Sequence, residues 1–357
     1  MEQTTDTAML LDLIVQPAFS VKDGLIVYAN PAALSRTVAV GCPINELLVT
    51  GQDAYSTLTS GCLYLTLSVN DQPCGASVTR MGECDIFVLE QETEEAQFQA
   101  LALAAKELRQ PLSNMMIAAD RLTPVLNQAD TDGLYAAQMK RSLHQMLRLV
   151  GNMSDAVRYA VQPQAQLELQ NISRLFDEVF EKAAALTAQT DVHLTYTGLS
   201  EDILCMVSSE KLERAVYNLL SNAIKFTPAG GHITASLTRH DNILHFTLKD
   251  TGSSIPAHIL GNVYTRYLRQ PGIEDGRHGI GLGLFMVRCA ATAHGGAVLI
   301  QQPEGGGTQV TMTLAIRQKP DGELRSPRLK VDYAGELDHG LIELADILHA
   351  QLYNDPQ

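Results

Sequence analysis

Two long stretches in the first half of the chain carry apolar residues at alternating steps of three and four. They cover residues 98–126 and 139–157, and a polar segment containing Gly133 separates them. This spacing is typical of helices that pack along a single seam. It predicts an antiparallel helical hairpin. Because two helices bury little apolar surface alone, two chains are expected to combine into a dimeric four-helix bundle.

Before the hairpin, short apolar segments alternate with turn residues, which predicts a unit of small strands and helices. The pair Asp23-Gly24 predicts a tight turn between two strands, and Asn30 precedes a helix that begins at Pro31. Further strands are predicted at residues 63–69, 75–79 and 86–89.

The second half of the chain also mixes helical and strand-like patterns. Residues 210–226 place apolar side chains at helical spacing, and Ser208 is a candidate cap for this helix. Residues 243–249 alternate as a strand does. After a linker rich in proline and charge at 319–328, five apolar residues between 341 and 352 predict one short C-terminal helix.

Polar residues on the predicted helix 210–226 suit a bound magnesium nucleotide. Asn218 and Asn222 lie four residues apart, so they share one helix face. Their carboxamide oxygen atoms can help to hold Mg²⁺, which prefers oxygen ligands and usually stays bridged to phosphates. Lys225 follows within one turn, and its ammonium group can reach a phosphate.

Two further signals follow along the chain. Asp250 ends the predicted strand and offers a carboxylate that can accept a hydrogen bond from an adenine amino group, while Gly252 lets the backbone approach the base. Glycines alternate over residues 279–283, just before an apolar run that predicts a helix. Backbone N–H groups at such a helix start can bind phosphates. Together with Thr308 after two glycines, these signals predict a nucleotide pocket.

Residues 165–317 resemble the catalytic and ATP-binding domain of sensor histidine kinases, whose fold is shared with the gyrase and heat-shock chaperone ATPases. The stretch 218–226 is similar to the N box of that family, and Asp250-Thr251-Gly252 is similar to the first glycine box. Residues 264–269 stand where the lid box belongs. The chain departs from the family at Ser254, where a second glycine is usual, and in the lid box, which lacks its phenylalanine.

The resemblance implies Mg·ATP as the ligand, with Asn222 coordinating Mg²⁺ helped by Asn218. The ATP-binding residues that it implies are Asn218, Asn222, Lys225, Phe226, Asp250, Gly252, Arg266, Arg269, Gly279, Gly281, Leu282, Gly283 and Thr308. ATPases of the wider superfamily carry a water-activating glutamate where Asn218 stands. Its absence argues against rapid ATP hydrolysis and suits phosphate transfer to another acceptor.

The hairpin resembles the dimerisation and phosphoacceptor domain of the same kinases, with one substitution at the reacting position. Residues 107–113 match the acceptor motif, but Lys106 stands where the family has its phosphorylated histidine. A protonated lysine, with an ordinary pKa of about 10.4, has no lone pair to attack a phosphate, so phosphorylation at this position is not expected. The alternative acceptor is His144, expected to be an exposed residue lower in the bundle. Catalytic roles in a response-regulator phosphatase stay open for Glu107 and Gln110, which in the family can orient water.

Residues 18–32 are similar to the start of a PAS sensor domain. Because no histidine precedes His144, a histidine-ligated haem is not expected there. The formal charge of −14 disfavours nucleic-acid binding. No apolar run approaches the ~20 residues that span a bilayer, and the six cysteines show no metal-binding spacing. These features favour a cytoplasmic protein without membrane contacts.

The chain is therefore predicted to be an α+β multidomain protein. Its predicted parts are a PAS-like α/β sensor at 1–90, the hairpin at 91–161, an α/β sandwich ATP-binding domain of the histidine kinase and gyrase type at 165–317, and a linker with a C-terminal helix at 318–357. The expected cofactors are ATP and Mg²⁺, and the expected partners are a second copy and a response regulator. Three functions stay open: a kinase in a phosphorelay, a response-regulator phosphatase, and a non-catalytic ATP-binding pseudokinase that regulates a partner.

Overall fold

The computed structural model describes residues 10–90, 95–129, 133–161, 167–256, 260, 263–264, 281–317 and 338–353, without the side chains of 95–102, 106, 124–129 and 157–161. Its strands are β1 (Ala18–Lys22), β2 (Leu25–Ala29), β3 (Cys62–Val69), β4 (Gln72–Met81), β5 (Cys84–Leu89), β6 (Glu168–Asn171), β7 (His193–Thr197), β8 (Leu204–Val207), β9 (His232–His240), β10 (Ile243–Asp250), β11 (Val298–Gln301) and β12 (Gln309–Ala315). Its α-helices are α1 (Pro31–Ser35), α2 (Gln52–Ser56), α3 (Glu95–Ala129), α4 (Leu134–Val161), α5 (Ile172–Thr187), α6 (Ser209–Phe226), α7 (Gly283–Ala293) and α8 (His339–Glu343).

The N-terminal unit is an antiparallel sheet in the order β2-β1-β5-β4-β3, with short helices on it. The turn predicted at Asp23-Gly24 joins β1 and β2, and both of its residues have positive φ. Asn30 caps α1, because its Oδ1 accepts hydrogen bonds from the N–H groups of Ala33 at 2.9 Å and Ala18 at 3.0 Å. The predicted strands and the helix start at Pro31 are confirmed.

Helices α3 and α4 pack against each other along the apolar positions that the sequence pattern marked. The buried residues at this seam are Ala105, Leu112, Ala119, Leu143 and Val150. Lys140 pairs with Asp120 at 2.9 Å, and Met116 packs against the cluster of Leu147 and Ile342 one helix segment further along, as expected for two antiparallel helices. Counted from the Asp120–Lys140 pair, position 106 on α3 and position 154 on α4 are equally many residues away. The two positions therefore lie at the same height in the hairpin.

The C-terminal half contains a second α/β unit, with α5, α6 and α7 packed on the sheet β11-β12-β10-β9-β7. Strands β7 and β9 are parallel, and the other neighbours in this sheet are antiparallel. The rings of Phe176 and Phe180 on α5 lie 5.1 and 5.8 Å from the ring of Phe246 on β10. Ser208 occupies the N-cap position of α6, but its side chain makes no capping hydrogen bond there.

The two sheets join edge to edge, which the sequence analysis did not predict. Strand β3 pairs with β11 in antiparallel register, Tyr64 opposite Val298 and Cys62 opposite Ile300. The result is one sheet of ten strands among the described residues. The Tyr264 hydroxyl lies 2.8 Å from the carbonyl oxygen of Val298 and 3.1 Å from that of Cys62, so it contacts both strands of the junction.

Buried charge also bridges the junction between the two units. The Arg288 guanidinium of α7 stacks on the Tyr64 ring at 4.5 Å and forms an ion pair with Glu90, just beyond β5. A positive guanidinium over an aromatic face is favourable, more so when it is withdrawn from water. The N-terminal unit thus contacts the helix that begins at the predicted phosphate-binding glycines.

Gly61 is required where β3 approaches β11. Its φ is +98°, and an added Cβ would overlap the backbone carbonyl oxygen of Ile300. Replacing Gly61 with alanine should therefore separate the two strands and accelerate amide hydrogen exchange along β11. The matched control is Gly24→Ala, because Gly24 also has a positive φ, +78°, but open space around its Cβ position. Equal exchange of β11 in both variants would contradict this role for Gly61.

The C-terminal segment packs between α4 and α6, and the single helix predicted over 341–352 is wrong. Helix α8 ends at Glu343, and a separate 3₁₀ helix covers Ala350–Tyr353. Five consecutive residues, 341–345, are buried, so this segment is covered on more than one side. Apolar residues on one helix face predict a helix that is buried on one side, whereas this segment is enclosed between two helices. We refer to residues 338–353 as the C-terminal segment.

Candidate functional site

Helix α6 brings the predicted carboxamide pair to the centre of the second unit. Asn218 is 1% exposed, and its Nδ2 donates a 2.8 Å hydrogen bond to the carbonyl oxygen of Arg214. This bond fixes the amide so that its oxygen faces Gly283, where an added Cβ would lie 3.2 Å from Oδ1. Asn222 lies on the same face, with Nδ2 3.7 Å from that position. The carboxamides and the glycine stretch therefore meet, as the predicted pocket requires.

The glycine stretch turns tightly into helix α7. Gly281 has a φ of +75°, and α7 begins at Gly283 without a side-chain cap. The first N–H groups of a helix lack partners within the helix and point outward from its start. In this position they can serve an anionic ligand, because the helix dipole is positive at that end.

Asp250 forms the opposite end of the site. Its Oδ1 accepts hydrogen bonds from the N–H groups of Gly252 at 2.8 Å and Thr308 at 3.2 Å. Among the described residues, the hydrogen bonds to this carboxylate all end on Oδ1, which leaves Oδ2 for a ligand. Burial raises the pKa of Asp250 above its ordinary value, although the two N–H groups act in the other direction. Gly252 cannot be replaced freely, because an added Cβ would overlap the Phe226 carbonyl oxygen.

A cavity of about 300 Å³ joins these two ends. The predicted residues that line it are Asn218, Asn222, Lys225, Phe226, Asp250, Gly281, Leu282, Gly283 and Thr308. Gly252 stands behind Asp250 rather than in the lining. Gly279, Arg266 and Arg269 lie outside the described residues.

The lining residues that the sequence analysis missed include three charged or amide side chains from outside the second unit. Arg148 and Asn152 project from α4 of the hairpin, and Asp346 comes from the C-terminal segment. Arg148 is 7% exposed and lies off the apolar seam of α4. A charged residue beside an apolar seam normally indicates a solvent-exposed helix face. The buried position of Arg148 is therefore evident only from the packing of α4 on the second unit.

The side chains of Glu107 and Gln110 do not line this cavity. Glu107 and Gln110 are exposed on α3, and the Gln110 amide makes only a long contact, 3.4 Å, with Asn114. Both side chains are accessible to a second protein. The side chain of Lys106 lies outside the described residues.

His144 is buried, which corrects the expectation that it is exposed. It is 4% exposed, its Nδ1 lies 2.8 Å from the Lys140 carbonyl oxygen, and its ring packs edge-on against Tyr353 at 4.9 Å. Burial lowers the pKa of this imidazole. The C-terminal segment covers the histidine, and sequence spacing along α4 alone could not reveal that cover.

Comparisons with known proteins match the part of the chain that contains most of this cavity. Residues 207–318 match the family of histidine kinase-, DNA gyrase B- and HSP90-like ATPases. The cavity residues from Asn218 to Thr308 fall within this match. The second unit therefore has the α/β fold of that ATPase class.

Curated relatives extend the similarity into the hairpin. The histidine protein kinase DivJ of Caulobacter vibrioides is 31% identical over 62% of this chain and 37% of its own length. The adaptive-response sensory kinase SasA of Microcystis aeruginosa is 29% identical over 65% of this chain and 64% of its own. The sensor histidine kinase WalK of Bacillus subtilis is 25% identical over 66% of this chain and 39% of its own. The chain is thus similar to sensor histidine kinases beyond its ATPase-like unit, and it spans less than two thirds of each of these relatives.

The described residues also limit other kinds of site. None of their helices combines the length and apolar character needed to cross a bilayer. They contain no cluster of three or more histidine, cysteine, aspartate or glutamate side chains suited to a metal ion.

Proposed function

We propose that this chain is a two-component signalling protein that binds Mg·ATP in the cavity and lacks the usual histidine phosphoacceptor. The observation that carries the proposal is the meeting of Asp250, the Asn218 and Asn222 pair and the Gly281–Gly283 turn around one cavity. Asp250 would accept a hydrogen bond from the adenine amino group. The phosphates would lie at the start of α7.

The residues at the phosphate end fit a magnesium nucleotide. Mg²⁺ is commonly held by one or two protein oxygen atoms while phosphates and water complete its six ligands. Asn222 and Asn218 offer carboxamide oxygen atoms, and Lys225 lines the same cavity. The bound ion would neutralise phosphate charge, and the protein would orient the nucleotide.

We also propose a homodimer formed through the hairpin. Apolar side chains on α3 remain 45–61% exposed in a single chain, namely Leu103, Leu108, Met115, Ile117 and Leu122. A second copy of the hairpin would cover them with the same kind of surface, as in a four-helix bundle. The N-terminal unit is proposed to be a PAS-like sensor. The six free thiols suit a reducing compartment, and we propose a cytoplasmic location.

A response regulator is the proposed partner, and phosphatase action on it is a second candidate function. The exposure of Glu107 and Gln110 favours this candidate, because a receiver protein could reach both side chains. A glutamine amide can align a water molecule by donating and accepting hydrogen bonds. The phosphatase would not need a phosphorylated histidine, whereas the pseudokinase would use bound ATP only to regulate a partner.

Incubation with γ-labelled Mg·ATP tests the proposal. The wild type and His144→Ala should take up no acid-labile phosphate, while Lys106→His should take it up, because it restores an imidazole at the height of the ATP-binding unit. Titration of the wild type with ATP should separately show binding. Label on the wild type that disappears in His144→Ala would identify a working kinase with a relocated acceptor. Loss of phosphate from an aspartyl-phosphorylated regulator, abolished by Gln110→Ala, would select the phosphatase.

A further inference from the structure

Helix α4 forms one wall of the cavity at the end proposed to receive the phosphates. Ala156 of α4 packs against Leu282 and Phe285, at the turn from the glycine stretch into α7. One turn back, Asn152 lines the cavity and accepts a 2.8 Å hydrogen bond from Arg214 of α6. The hairpin therefore contributes directly to this end of the site.

The side chain of Arg148 lies one turn further along the same wall. Its Nη2 lies 3.2 Å from the Ser221 hydroxyl, and Ser221 directly precedes Asn222 in α6. The guanidinium is thus held beside the carboxamide pair and lines the same cavity. It is a cation placed where a nucleotide would present its outer phosphates.

Two carboxylates of the C-terminal segment share this one guanidinium. Its Nη1 lies 2.6 Å from Asp346, and its Nε lies 3.4 Å from Glu343. The Glu343 side chain is fully buried and also pairs with Arg214 at 3.1 Å. Asp346 is 18% exposed and itself lines the cavity, so it is the partner that an entering anion can replace.

We propose that Arg148 binds the terminal phosphate of the nucleotide and releases Asp346 in exchange, so that the hairpin distinguishes ATP from ADP. This inference rests on the proposed binding of Mg·ATP. A guanidinium can bind phosphate through two parallel hydrogen bonds, which are stronger than those between neutral groups. ADP lacks the phosphate that would reach Arg148 and leaves the pair with Asp346 in place. Nucleotide state would then determine how the C-terminal segment is held.

The test compares dissociation constants for Mg·ATP and Mg·ADP on the full chain by calorimetry. In the wild type, ATP should bind more tightly than ADP. Arg148→Met should weaken ATP binding by about tenfold or more, as expected for a lost hydrogen bond to a charged group, and change ADP binding by less than about threefold. Equal weakening of both nucleotides would overturn the inference.

Two further variants separate this role from simple support of the segment. Arg141→Met removes hydrogen bonds of 3.0 Å to the backbone carbonyl groups of Ala345 and Asp346 without touching the cavity, so the ratio of ATP to ADP affinity should stay unchanged. Asp346→Asn keeps Arg148 and removes the charge of the partner that competes with phosphate for it, so ATP affinity should rise several-fold while ADP affinity rises less. This second variant serves as the test if Arg148→Met does not fold. An unchanged ratio in Asp346→Asn would overturn the inference, whereas no binding of either nucleotide to the wild type would overturn the proposed function instead.

Discussion

Replacing Asp250 with alanine is expected to lower the affinity for ATP by at least about a hundredfold, because three hydrogen bonds depend on this carboxylate. Two of them come from the N–H groups of Gly252 and Thr308, which position the loops around the cavity. The third is the proposed bond to the adenine amino group. Isothermal titration with Mg·ATP measures the loss. Unchanged affinity would contradict the assignment of the pocket.

Asp250→Asn is the matched control for this prediction. Asparagine keeps an oxygen atom that can accept from the two N–H groups, so the fold should persist, but it presents N–H groups to the adenine amino group and should still bind ATP poorly. The wild type has a further signature in pH. Because burial raises the pKa of Asp250, its affinity for ATP should begin to fall at a pH above the ordinary titration range of aspartate as the solution is acidified. Acidification should have the opposite effect on stability. The cost of burying the ionised carboxylate disappears as the pH falls through the raised pKa, so this group then destabilises the folded state less.

Glu343→Ala should cause the largest loss of stability among single changes in the C-terminal segment. Glu343 is 0% exposed and bridges Arg148 of the hairpin and Arg214 of the ATP-binding unit. Removing one partner of a buried ion cluster leaves charges uncompensated, at a cost of about 3–5 kcal/mol. Urea unfolding, followed by far-ultraviolet circular dichroism, measures the effect.

Arg174→Ala provides the comparison for that experiment. Arg174 pairs with Asp202 at 3.0 Å, but their side chains are 70% and 60% exposed. Exposed pairs contribute little because water and salt screen them. The midpoint of this variant should stay close to that of the wild type. If Glu343→Ala unfolds at the same urea concentration as Arg174→Ala, the buried cluster does not hold the segment.

Local sequence pattern predicted the elements of this protein well where each element follows its own periodicity. Residues 210–226 were predicted as a helix and form α6, and residues 243–249 form most of β10. The cavity residues between Asn218 and Thr308 could be predicted because each signal is short and lies at an element boundary. Glycines at a helix start and an aspartate at a strand end have a chemical meaning that needs no distant contact.

Contacts between units could not be predicted in the same way. Arg148 has the sequence context of a solvated helix residue, and its buried role depends on distant residues: Ser221 of α6, and Glu343 and Asp346 nearly two hundred residues away. His144 was placed correctly on α4 but assigned the wrong exposure for the same reason. The periodicity of apolar residues indicates which face of a helix is apolar. It does not indicate whether a later segment of the chain covers the polar face.

The junction of β3 and β11 has a consequence for biosynthesis. The ribosome releases β3 long before β11, so the N-terminal sheet must wait with an open edge while the hairpin and most of the ATP-binding unit are made. Open edges readily recruit strands from other chains. At Gly61, which immediately precedes β3, the chain carries no side chain that would hinder such pairing. We therefore expect a nascent chain to be most prone to pairing with other chains after β3 has been synthesised and before β11 has. Neighbouring chains on the same polysome would raise the chance of such pairing.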